Sequence, residues 1–304
     1  MEKIYDIAII GGGPAGLTAA IYGLRNGKQV LVIEKNVFGG QITNSPCVEN
    51  IPGFKQISGD EYGDMLLDQV NDLGGDLLFD ECIKVSHDKE IALYFKDNEP
   101  IITKSLIIAS GSVHRRLNVK HEEELIGKNV HFCAVCDGNL YKDKTVCLVG
   151  GGNSALVEAN LLANTCRKLI ILQDLANFTG ERKQVEKLYD HKNVEAHFNT
   201  SNLEYIVENK TFKGIGYKEN NVSKIALCDG VFLAIGLVPN NQMFKGLLDL
   251  DEKGYLITDE LGKTKYDNIF VAGDCKNKFL RQVVTAQNDG AIAASLACQY
   301  LEGK

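Results

Sequence analysis

The amino-acid sequence predicts an α/β fold of two parallel-sheet units, with the second unit inserted in the first. Two observations carry most of this prediction. The apolar run 5–10 is followed by the glycine-rich turn 11–16, and the same order returns at 145–149 and 150–155. A third observation is that other short apolar runs, predicted as strands over 105–110 and 230–235, are also followed by glycine. Strands of a parallel sheet that is covered on both faces have this continuous apolar character.

The first unit opens with a strand, a turn, a helix and a strand. Residues 5–10 and 30–33 have strand character, and residues 17–24 have helical character. This order is the βαβ unit of a Rossmann-like dinucleotide-binding domain. The uncharged stretch 7–24 also has the length of a membrane span, but its five glycines and Pro14 favour the strand, turn and helix.

The glycines of the first turn have the spacing of a dinucleotide site. Gly11, Gly13 and Gly16 fit the pattern G-x-G-x-x-G, which permits a tight turn, a close approach to a pyrophosphate and close helix–strand packing. Glu34 stands 23 residues after Gly11 at the end of the second strand, where a carboxylate accepts hydrogen bonds from a ribose. The alternative is a glycine turn that binds no ligand.

The second unit repeats the pattern from residue 145 onwards. Residues 145–149 and 168–172 have strand character, and residues 156–163 between them have helical character. A last strand at 268–272 precedes a long C-terminal helix over 282–302. The second domain is therefore predicted to be inserted in the first, with crossovers near 112–118 and 237–245.

Composition excludes several classes of protein. The chain of 304 residues is 44% hydrophobic and 24% charged, as in an ordinary globular protein. Its net charge of −7 argues against a nucleic-acid partner, because such proteins carry basic patches. Nine cysteines are an odd number, and no secretion signal is evident. Both features favour a cytoplasmic protein with most thiols free.

The motif Cys133-Ala134-Val135-Cys136 carries the strongest chemical signal. Two cysteines at this spacing form a readily opened disulfide, half of a zinc site or a structural pair. No second pair of ligands accompanies them, and His131 lies too close in sequence to complete a tetrahedral zinc site. A redox dithiol is therefore favoured and no metal is expected. Asp137 follows directly, as a proton carrier for thiol–disulfide exchange, a helix N-cap, or both.

The chain resembles the low-molecular-weight thioredoxin reductases over nearly its whole length. The segments that carry the resemblance are GGGPAG at 11–16, GGQI at 39–42, VENIPGF at 48–54, ASG at 109–111, CAVCDG at 133–138, GGGNSA at 150–155, GLVPN at 236–240 and VAGDCKNKFLRQVVTA at 271–286.

The resemblance implies a homodimer with two Rossmann-like domains of the three-layer ββα type. The first domain, over 1–112 and 243–304, would bind FAD, and the second, over 113–242, would carry the redox cysteines on a vestigial or altered pyridine-nucleotide fold. The FAD-binding residues implied by the resemblance are Gly11, Gly13, Pro14, Ala15, Gly16, Glu34, Lys35, Gly40, Gln41, Asn50, Gly111, Asp274, Arg281, Gln282 and Val283.

The resemblance also gives each redox residue a role. Cys136 is the thiol next to the flavin, Cys133 is the thiol that attacks the thioredoxin disulfide, and Asp137 is the acid/base. The family rotates its domains to expose the dithiol to thioredoxin.

The sequence departs from the family after the second glycine turn. NADPH-dependent members carry H-R-R-x-x-x-R there, whose arginines hold the 2′-phosphate, whereas this chain has the segment 173–179, which contains no basic residue. Asp174 would repel a phosphate, and Gln173 is not the acid that NADH favours. The loss resembles the ferredoxin-dependent flavin thioredoxin reductases, so reduced ferredoxin is the predicted donor. NADH and NADPH remain alternatives, because the turn 150–155 is retained.

The sequence is also compatible with two other functions. One is a flavin electron-transfer protein with a regulatory dithiol, and the other is a binding module without flavin. Lys276, Lys278 and Arg281 form either a docking patch for an acidic ferredoxin or an ordinary solvated basic cluster. Of the seven remaining cysteines, Cys47 and Cys275 lie closest to the predicted flavin segments.

Overall fold

The computed structural model describes residues 4–45, 48–88 and 90–303. The described chain divides into two compact units. The first comprises 1–43, 51–113 and 238–304, and the second comprises 44–50 and 114–237. The predicted domain bounds were 1–112 with 243–304, and 113–242.

The first unit is built on a sheet of seven described strands. They are β1 Tyr5–Ile10, β2 Val30–Glu34, β3 Asp76–Phe79, β4 Cys82–His87, β5 Ile91–Phe95, β6 Ile101–Ile108 and β17 Ile269–Val271. Their order in the sheet is β3-β2-β1-β6-β5-β4, and β17 also pairs with β6. Strands β1, β2, β3, β6 and β17 are mutually parallel, and β4 and β5 extend the sheet in antiparallel pairing.

In the described part of the first unit there are three α-helices. They are α1 Pro14–Arg25, α2 Gly59–Asp72 and α7 Val283–Leu301. Helix α1 begins at Pro14, three residues before the predicted start, because the fixed φ of proline suits the first helical position. Helix α7 packs against α1 so closely that a Cβ on Gly290 would lie 2.2 Å from the carbonyl oxygen of Ala15.

The second unit contains a parallel sheet with the order β11-β10-β9-β15-β8 and an antiparallel sheet with the order β12-β13-β14. Its strands are β8 Val130–His131, β9 Thr145–Val149, β10 Lys168–Leu172, β11 Val194–His197, β12 Thr200–Glu208, β13 Thr211–Glu219, β14 Val222–Leu227 and β15 Gly230–Leu233. Its helices are α3 Glu122–Leu125, α4 Ala134–Asp137, α5 Asn153–Thr165 and α6 Arg182–Tyr189. Strands β7 Ser112–His114 and β16 Leu237–Pro239 pair where the chain passes between the units.

The parallel sheet of the second unit has an apolar cluster on each face. One cluster joins Leu148 and Phe232 to helix α5, and the other joins Cys147 and Val231 to residues of β12, β13 and β14. The unit therefore has three layers, in the order helix, parallel sheet and antiparallel sheet. The predicted fold class, an α/β protein with two Rossmann-like domains, is confirmed.

The element bounds differ from the predicted ones mainly in β6. The strand predicted over 105–110 begins at Ile101 and ends at Ile108. Its first half includes Thr103 and Lys104 and pairs with the antiparallel strand β5, and Thr103 also pairs with Tyr5 of the parallel strand β1. The continuous apolar run therefore marked only the half of β6 that pairs with β17.

Among the described residues, no helix has both the length and the apolar character that crossing a membrane requires.

Candidate active site

The first glycine turn leaves no room for side chains at two positions. Gly11 has a φ of +111°, and a Cβ on it would lie 2.1 Å from the carbonyl oxygen of Ala109. A Cβ on Gly16 would lie 1.8 Å from the carbonyl oxygen of Gly11. Gly13 takes the N-cap position of α1, with an extended backbone and no side-chain cap. The turn therefore presents bare backbone at a helix N-terminus, as a pyrophosphate site requires.

Glu34 ties the end of β2 to this turn. Its Oε2 accepts a hydrogen bond from the amide of Gly12 at 2.8 Å, and its Oε1 accepts one from the amide of Asn36 at 2.8 Å. The carboxylate is thus fixed beside the turn, where the sequence predicts a ribose ligand. Lys35 lies next to it and pairs with Glu81 on the surface at 3.0 Å.

The segment after β2 closes on the same turn. Gly40 has a φ of +69°, and a Cβ on it would lie 2.8 Å from the Cα of Gly13. Gln41 belongs to the short 3-10 helix Gly40–Asn44, and its Nε2 donates to the carbonyl oxygen of Ser112. Gly111, at the end of β6, has a φ of +66° and accepts a hydrogen bond from the amide of Asn240 at 3.2 Å.

One residue of the predicted FAD set is assigned to the other unit. Asn50 belongs to the segment 44–50, which groups with the second unit. Pro14 and Ala15 open helix α1, and Ala15 is buried. The individual roles of these residues stay predictions.

Asp274 is a buried polar residue of the first unit that a ligand could satisfy. Its Oδ1 has no hydrogen-bond partner among the described residues. Burial raises the pKa of this carboxyl, while Lys278 and Arg281 act in the opposite direction. An unsatisfied buried acceptor carries a cost of ~1–3 kcal/mol, which a hydroxyl donor from a ligand would remove. This observation fits a polyhydroxyl group such as the ribityl chain of FAD.

Arg281, Gln282 and Val283 lie at the start of α7. The guanidinium of Arg281 stacks over the ring of Tyr255 at 4.1 Å and donates to the carbonyl oxygens of Lys276 and Lys278, each at 3.2 Å. Gln282 forms a reciprocal capping box with Thr285. Val283 is the first residue of the helix.

The expectation of a solvated basic patch at Lys276, Lys278 and Arg281 is wrong. Lys276 is 4% exposed and lies 3.3 Å from Asp289. Lys278 lies 2.7 Å from the same carboxylate, and its side chain is 10% exposed. Both ammonium groups are therefore buried and paired, because a buried charge needs a partner and the inward face of α7 supplies Asp289. They offer little charge to a docking protein.

The second glycine turn repeats the first in backbone but not in side chains. Gly150 has a φ of +128°, and a Cβ on it would lie 2.5 Å from the carbonyl oxygen of Ala234. Gln173 takes the place that Glu34 has in the first unit, and its Nε2 donates to the carbonyl oxygen of Asn177 at 3.2 Å. The loop then returns to the turn, where the amide of Thr179 donates to Gly151 at 2.8 Å.

Cys133 and Cys136 form a disulfide at the start of the short helix α4, with their Cα atoms 5.3 Å apart. Both residues are partly exposed. The N-cap of α4 is Cys133, whose Sγ accepts a hydrogen bond from the amide of Cys136 at 3.2 Å. Asp137 is the last residue of α4 and stands at the N-cap position of the following 3-10 helix Gly138–Tyr141, but its side chain makes no capping hydrogen bond. The alternative of Asp137 as a side-chain N-cap is therefore wrong.

The sequence analysis missed three residues around the disulfide. His131 lies 3.2 Å from Asp137, and its other ring nitrogen lies 2.9 Å from the hydroxyl of Tyr141. Glu158, on α5, accepts a hydrogen bond from the amide of Ala134, and burial raises its pKa to about 8 with a further contribution from Asp137. In the sequence, His131 is conspicuous only as a possible metal ligand. Its position in an apolar strand next to the cysteine motif is the feature that could have indicated a buried imidazole near the disulfide.

The other described cysteines are buried and unpaired by disulfides, namely Cys82, Cys147, Cys166, Cys228, Cys275 and Cys298. Burial raises the pKa of Cys275 to about 11. Its Sγ lies 3.2 Å from the carbonyl oxygen of Ala272, within the strand and loop that carry Asp274. Cys47 lies outside the described residues.

Comparison with known proteins places this arrangement in a family. Residues 5–290 match the family described as pyridine nucleotide-disulphide oxidoreductase. The chain is 38% identical to a 34.2 kDa protein in the rubredoxin operon of Clostridium pasteurianum, and the match covers 100% of this chain and 99% of that protein. It is 37% identical to a thioredoxin reductase of Listeria innocua, over 99% of this chain and 95% of the relative.

A solved structure agrees with these matches. The thioredoxin reductase of Streptococcus pyogenes superimposes with a TM-score of 0.91 at 30% identity, and the match covers 100% of both chains. Proteins of this kind are FAD-binding flavoproteins, so the predicted cofactor is confirmed. The resemblance found in the sequence motifs extends through the whole fold. The chain belongs to the pyridine nucleotide-disulphide oxidoreductases and, within them, to the thioredoxin reductase family.

Proposed function

We propose that this protein reduces the disulfide of thioredoxin through the Cys133–Cys136 pair. The observation that carries the proposal is the partly exposed disulfide with the buried carboxylate of Asp137 directly after it. Relatives that match over almost their whole length bear the name thioredoxin reductase. The family match supports a catalytic rather than a merely regulatory dithiol.

The exchange needs two bond changes that balance in electrons and protons. The Cys133 thiolate attacks the thioredoxin disulfide, so that a mixed disulfide forms and one thioredoxin thiolate leaves. The Cys136 sulfur then attacks Cys133, which restores the Cys133–Cys136 disulfide and releases the second thioredoxin thiolate. Thioredoxin gains two electrons and two protons, and the dithiol loses the same number. Asp137 is the group that carries protons between these sulfurs.

The first unit would hold FAD through groups that fit it. The bare backbone of Gly11, Gly13 and Gly16 would receive the pyrophosphate, Glu34 the adenosine ribose, and the unsatisfied Oδ1 of Asp274 the ribityl chain. When bound, FAD supplies a two-electron carrier between an external donor and the disulfide. The contributions of Lys35, Gln41, Asn50, Arg281 and their neighbours belong to the same proposal.

The proposed electron donor is reduced ferredoxin. The place of the arginine clamp is taken by Asp174, Leu175 and Thr179, none of which offers a cation to a 2′-phosphate. Gln173 is 3% exposed and its amide is used within its own loop. A charge-assisted contact contributes ~1.5–3 kcal/mol, so the loss of two or three of them weakens NADPH binding by orders of magnitude.

The alternative donor is NADH or NADPH. It is favoured by the intact glycine turn at Gly150 and by the match to pyridine nucleotide enzymes. The turn also has a purely structural use, because Gly150 lies against Ala234 and only glycine fits there. Retention of the turn therefore supports nucleotide binding less strongly than an arginine clamp would.

Stopped-flow reduction of the purified flavoprotein tests the donor. Reduced ferredoxin, NADH and NADPH are mixed separately with the oxidised enzyme, and flavin absorbance is followed in the presence of excess oxidised thioredoxin. We expect rapid bleaching with ferredoxin and slow bleaching with both nucleotides. Rapid bleaching and thioredoxin turnover with micromolar NADH or NADPH contradict the ferredoxin proposal.

Trapping tests the substrate. The Cys136→Ser variant keeps the attacking Cys133 but cannot resolve a mixed disulfide, so it should form a stable covalent complex with a thioredoxin that lacks its own resolving cysteine. The Cys133→Ser variant should lose thioredoxin turnover. Unchanged turnover in Cys133→Ser would instead favour a flavin electron-transfer protein with a regulatory dithiol.

The wider proposal includes assembly and place of action. The family resemblance supports a homodimer, and the buried free thiols suit a reducing cytoplasm. Analytical ultracentrifugation of the holoprotein measures the first directly, and a monomer at micromolar concentration would contradict it.

A further inference from the structure

A chain of polar groups is buried behind the disulfide segment and extends from Asp137, the proton carrier proposed above. The Nδ1 of His131 lies 3.2 Å from Oδ2 of Asp137. The Nε2 of His131 lies 2.9 Å from the hydroxyl of Tyr141, and that hydroxyl lies 3.1 Å from the carbonyl oxygen of Lys128. The chain therefore runs from the carboxylate beside Cys136 to a backbone carbonyl.

Water has almost no access to this chain. The side chains of His131 and Asp137 are 1% and 5% exposed. The ring of Phe232 stacks on His131 with its centroid 5.3 Å away, and Tyr141 meets the imidazole edge-on. In such surroundings a hydrogen bond to a charged group is strong and its geometry is fixed. The Oδ1 of Asp137 nevertheless has no hydrogen-bond partner in the part of the chain that the structure describes.

Two proton arrangements satisfy the ring nitrogens equally well. When His131 is neutral, its Nδ1–H donates to Asp137 and the Tyr141 hydroxyl donates to Nε2. When His131 is an imidazolium, both nitrogens donate, and the Tyr141 hydroxyl turns to donate to the Lys128 carbonyl. Rotation of one hydroxyl hydrogen thus lets the chain take up a proton without leaving His131 or Tyr141 unsatisfied. A purely structural hydrogen-bond network has no need of both arrangements.

On the basis of the proposed function, we infer that His131 is a positioning residue which orients Asp137 and stores the proton that Asp137 passes during thiol–disulfide exchange. Tyr141 is the switchable partner that accommodates both states of the imidazole. We name His131, Asp137 and Tyr141 together the proton relay.

The relay accounts for both protons that move from the enzyme's thiols to thioredoxin during the exchange. Ionisation of the Cys133 thiol leaves one proton on the relay, and the first thioredoxin thiolate to leave takes that proton from Asp137. The Cys136 thiol gives its proton to the relay as its sulfur bonds to Cys133. The second thioredoxin thiolate then takes this proton, so the relay ends as it began and two protons have reached thioredoxin.

Other ionisable groups act on the relay and contribute to its pH dependence. The carboxyl of Glu158 faces Asp137 from helix α5. Asp229 and Cys228 act on Tyr141 from the segment before β15, and the ammonium of Lys144 lies 5.3 Å from the centre of the Tyr141 ring. All of these groups remain in place when His131 or Tyr141 is replaced, so the variants below isolate the relay.

The test is a single-turnover reaction of prereduced enzyme with oxidised thioredoxin over a range of pH. The chain contains no Trp, so the fluorescence of a tryptophan-containing thioredoxin reports the reaction without background from the enzyme. The variants are His131→Gln, which cannot carry the proton, and Tyr141→Phe, which loses only the switchable hydroxyl. The matched controls are His197→Gln and Tyr205→Phe, because each of these residues also bonds a carboxylate within the second unit.

We expect His131→Gln to lower the exchange rate about 10- to 100-fold and to change the shape of the rate–pH profile. Tyr141→Phe should change the same shape with a smaller loss of rate. The controls should keep the wild-type profile. Profiles of both relay variants that superimpose on the wild type after scaling by a constant contradict the inference. If His131→Gln fails to fold, the shape of the rate–pH profile of Tyr141→Phe alone tests the inference.

A parallel series with a small aromatic disulfide separates this inference from the proposed function. A wild-type enzyme that reduces the small disulfide but not thioredoxin contradicts the proposed substrate. Because the relay acts on the enzyme's own sulfurs, its signature should then still be visible with the small disulfide. Unchanged profile shapes with either disulfide contradict the relay.

Discussion

The carboxamide of Gln173 lies directly against Gly151, since a Cβ built on this glycine would lie 2.5 Å from Cδ of Gln173. In the first unit, Glu34 occupies the corresponding place and accepts a hydrogen bond from Gly12 at 2.8 Å. The two glycine turns thus share a backbone but differ in the side chain at the end of the second strand. Gln173 donates to its own loop instead of offering a carboxylate to a ribose.

Restoring cations to this loop should restore NADPH binding. Thr179 lies beside the turn through its hydrogen bond to Gly151, and Asp174 follows Gln173 directly. The double variant Asp174→Arg with Thr179→Arg should lower the Kd for NADPH at least tenfold and that for NADH much less, because arginine bonds the 2′-phosphate at ~1.5–3 kcal/mol per contact. Calorimetric titration measures both constants. The control is Asp190→Arg on the surface of the same unit, and equal gains for both nucleotides would count against a phosphate clamp.

Replacement of Gly11 by alanine should cost more stability than replacement of Gly27. Both glycines have a positive φ, but a Cβ on Gly11 would lie 2.1 Å from Ala109 whereas a Cβ on Gly27 would meet nothing within 4 Å. The positive φ costs each alanine variant ~1–2 kcal/mol of unfolding free energy. The close contact adds to this cost only in Gly11→Ala, so this variant should lose ~2 kcal/mol or more of unfolding free energy beyond the loss in Gly27→Ala. Denaturant unfolding and flavin content measure the effect. Equal losses in the two variants would show that the close contact is relieved at no cost.

Glu158 should make the protein less stable as the pH rises. Burial raises the pKa of its carboxyl from 4.5 to about 8, so the unfolded chain ionises this group before the folded one does. Stability is therefore fully present below pH ~4.5 and is lost as the pH rises towards about 8. Glu158→Gln removes this loss and should stabilise the protein at pH 8 by on the order of 3 kcal/mol, with little effect at pH 5.

Thermal unfolding of wild type and Glu158→Gln at the two pH values checks this expectation. Glu61→Gln is the control, since Glu61 is an exposed carboxyl in the first turn of α2. A stabilisation that is the same at both pH values would mean that the charge of Glu158 is not its cause.

The buried thiols should react far more slowly than the redox pair. Burial raises the pKa of Cys82, Cys166 and Cys275 to about 11. At pH 8 this leaves about one thiol in a thousand as thiolate, roughly a hundredfold less than for an ordinary cysteine. Timed alkylation of the reduced, folded protein followed by mass spectrometry should label Cys133 and Cys136 first. Early labelling of Cys275 would contradict the burial argument, and labelling in denaturant provides the reference.

Local sequence was sufficient for the fold and for the redox pair. Glycines at fixed spacing between an apolar strand and a helix have one structural use, so Gly11 and Gly16 revealed the first βαβ unit and Gly150 revealed the second. The disulfide between Cys133 and Cys136 could be predicted because the two cysteines are close together in the sequence. The absence of cations in 173–179 was visible for the same reason.

Contacts between distant segments were decided only by the tertiary structure. The sequence places Lys276 and Lys278 in a cluster of basic residues that resembles a surface patch. In the fold both side chains are buried, and both pair with Asp289 on the next helix. Glu158 comes to Asp137 from another helix, and His131 meets Tyr141 only because β8 and the segment after α4 lie side by side. Burial and pairing set the charge of such groups, and both are properties of packing. The sequence thus determined the architecture and the disulfide pair, whereas the fold decided which ionisable groups surround that pair.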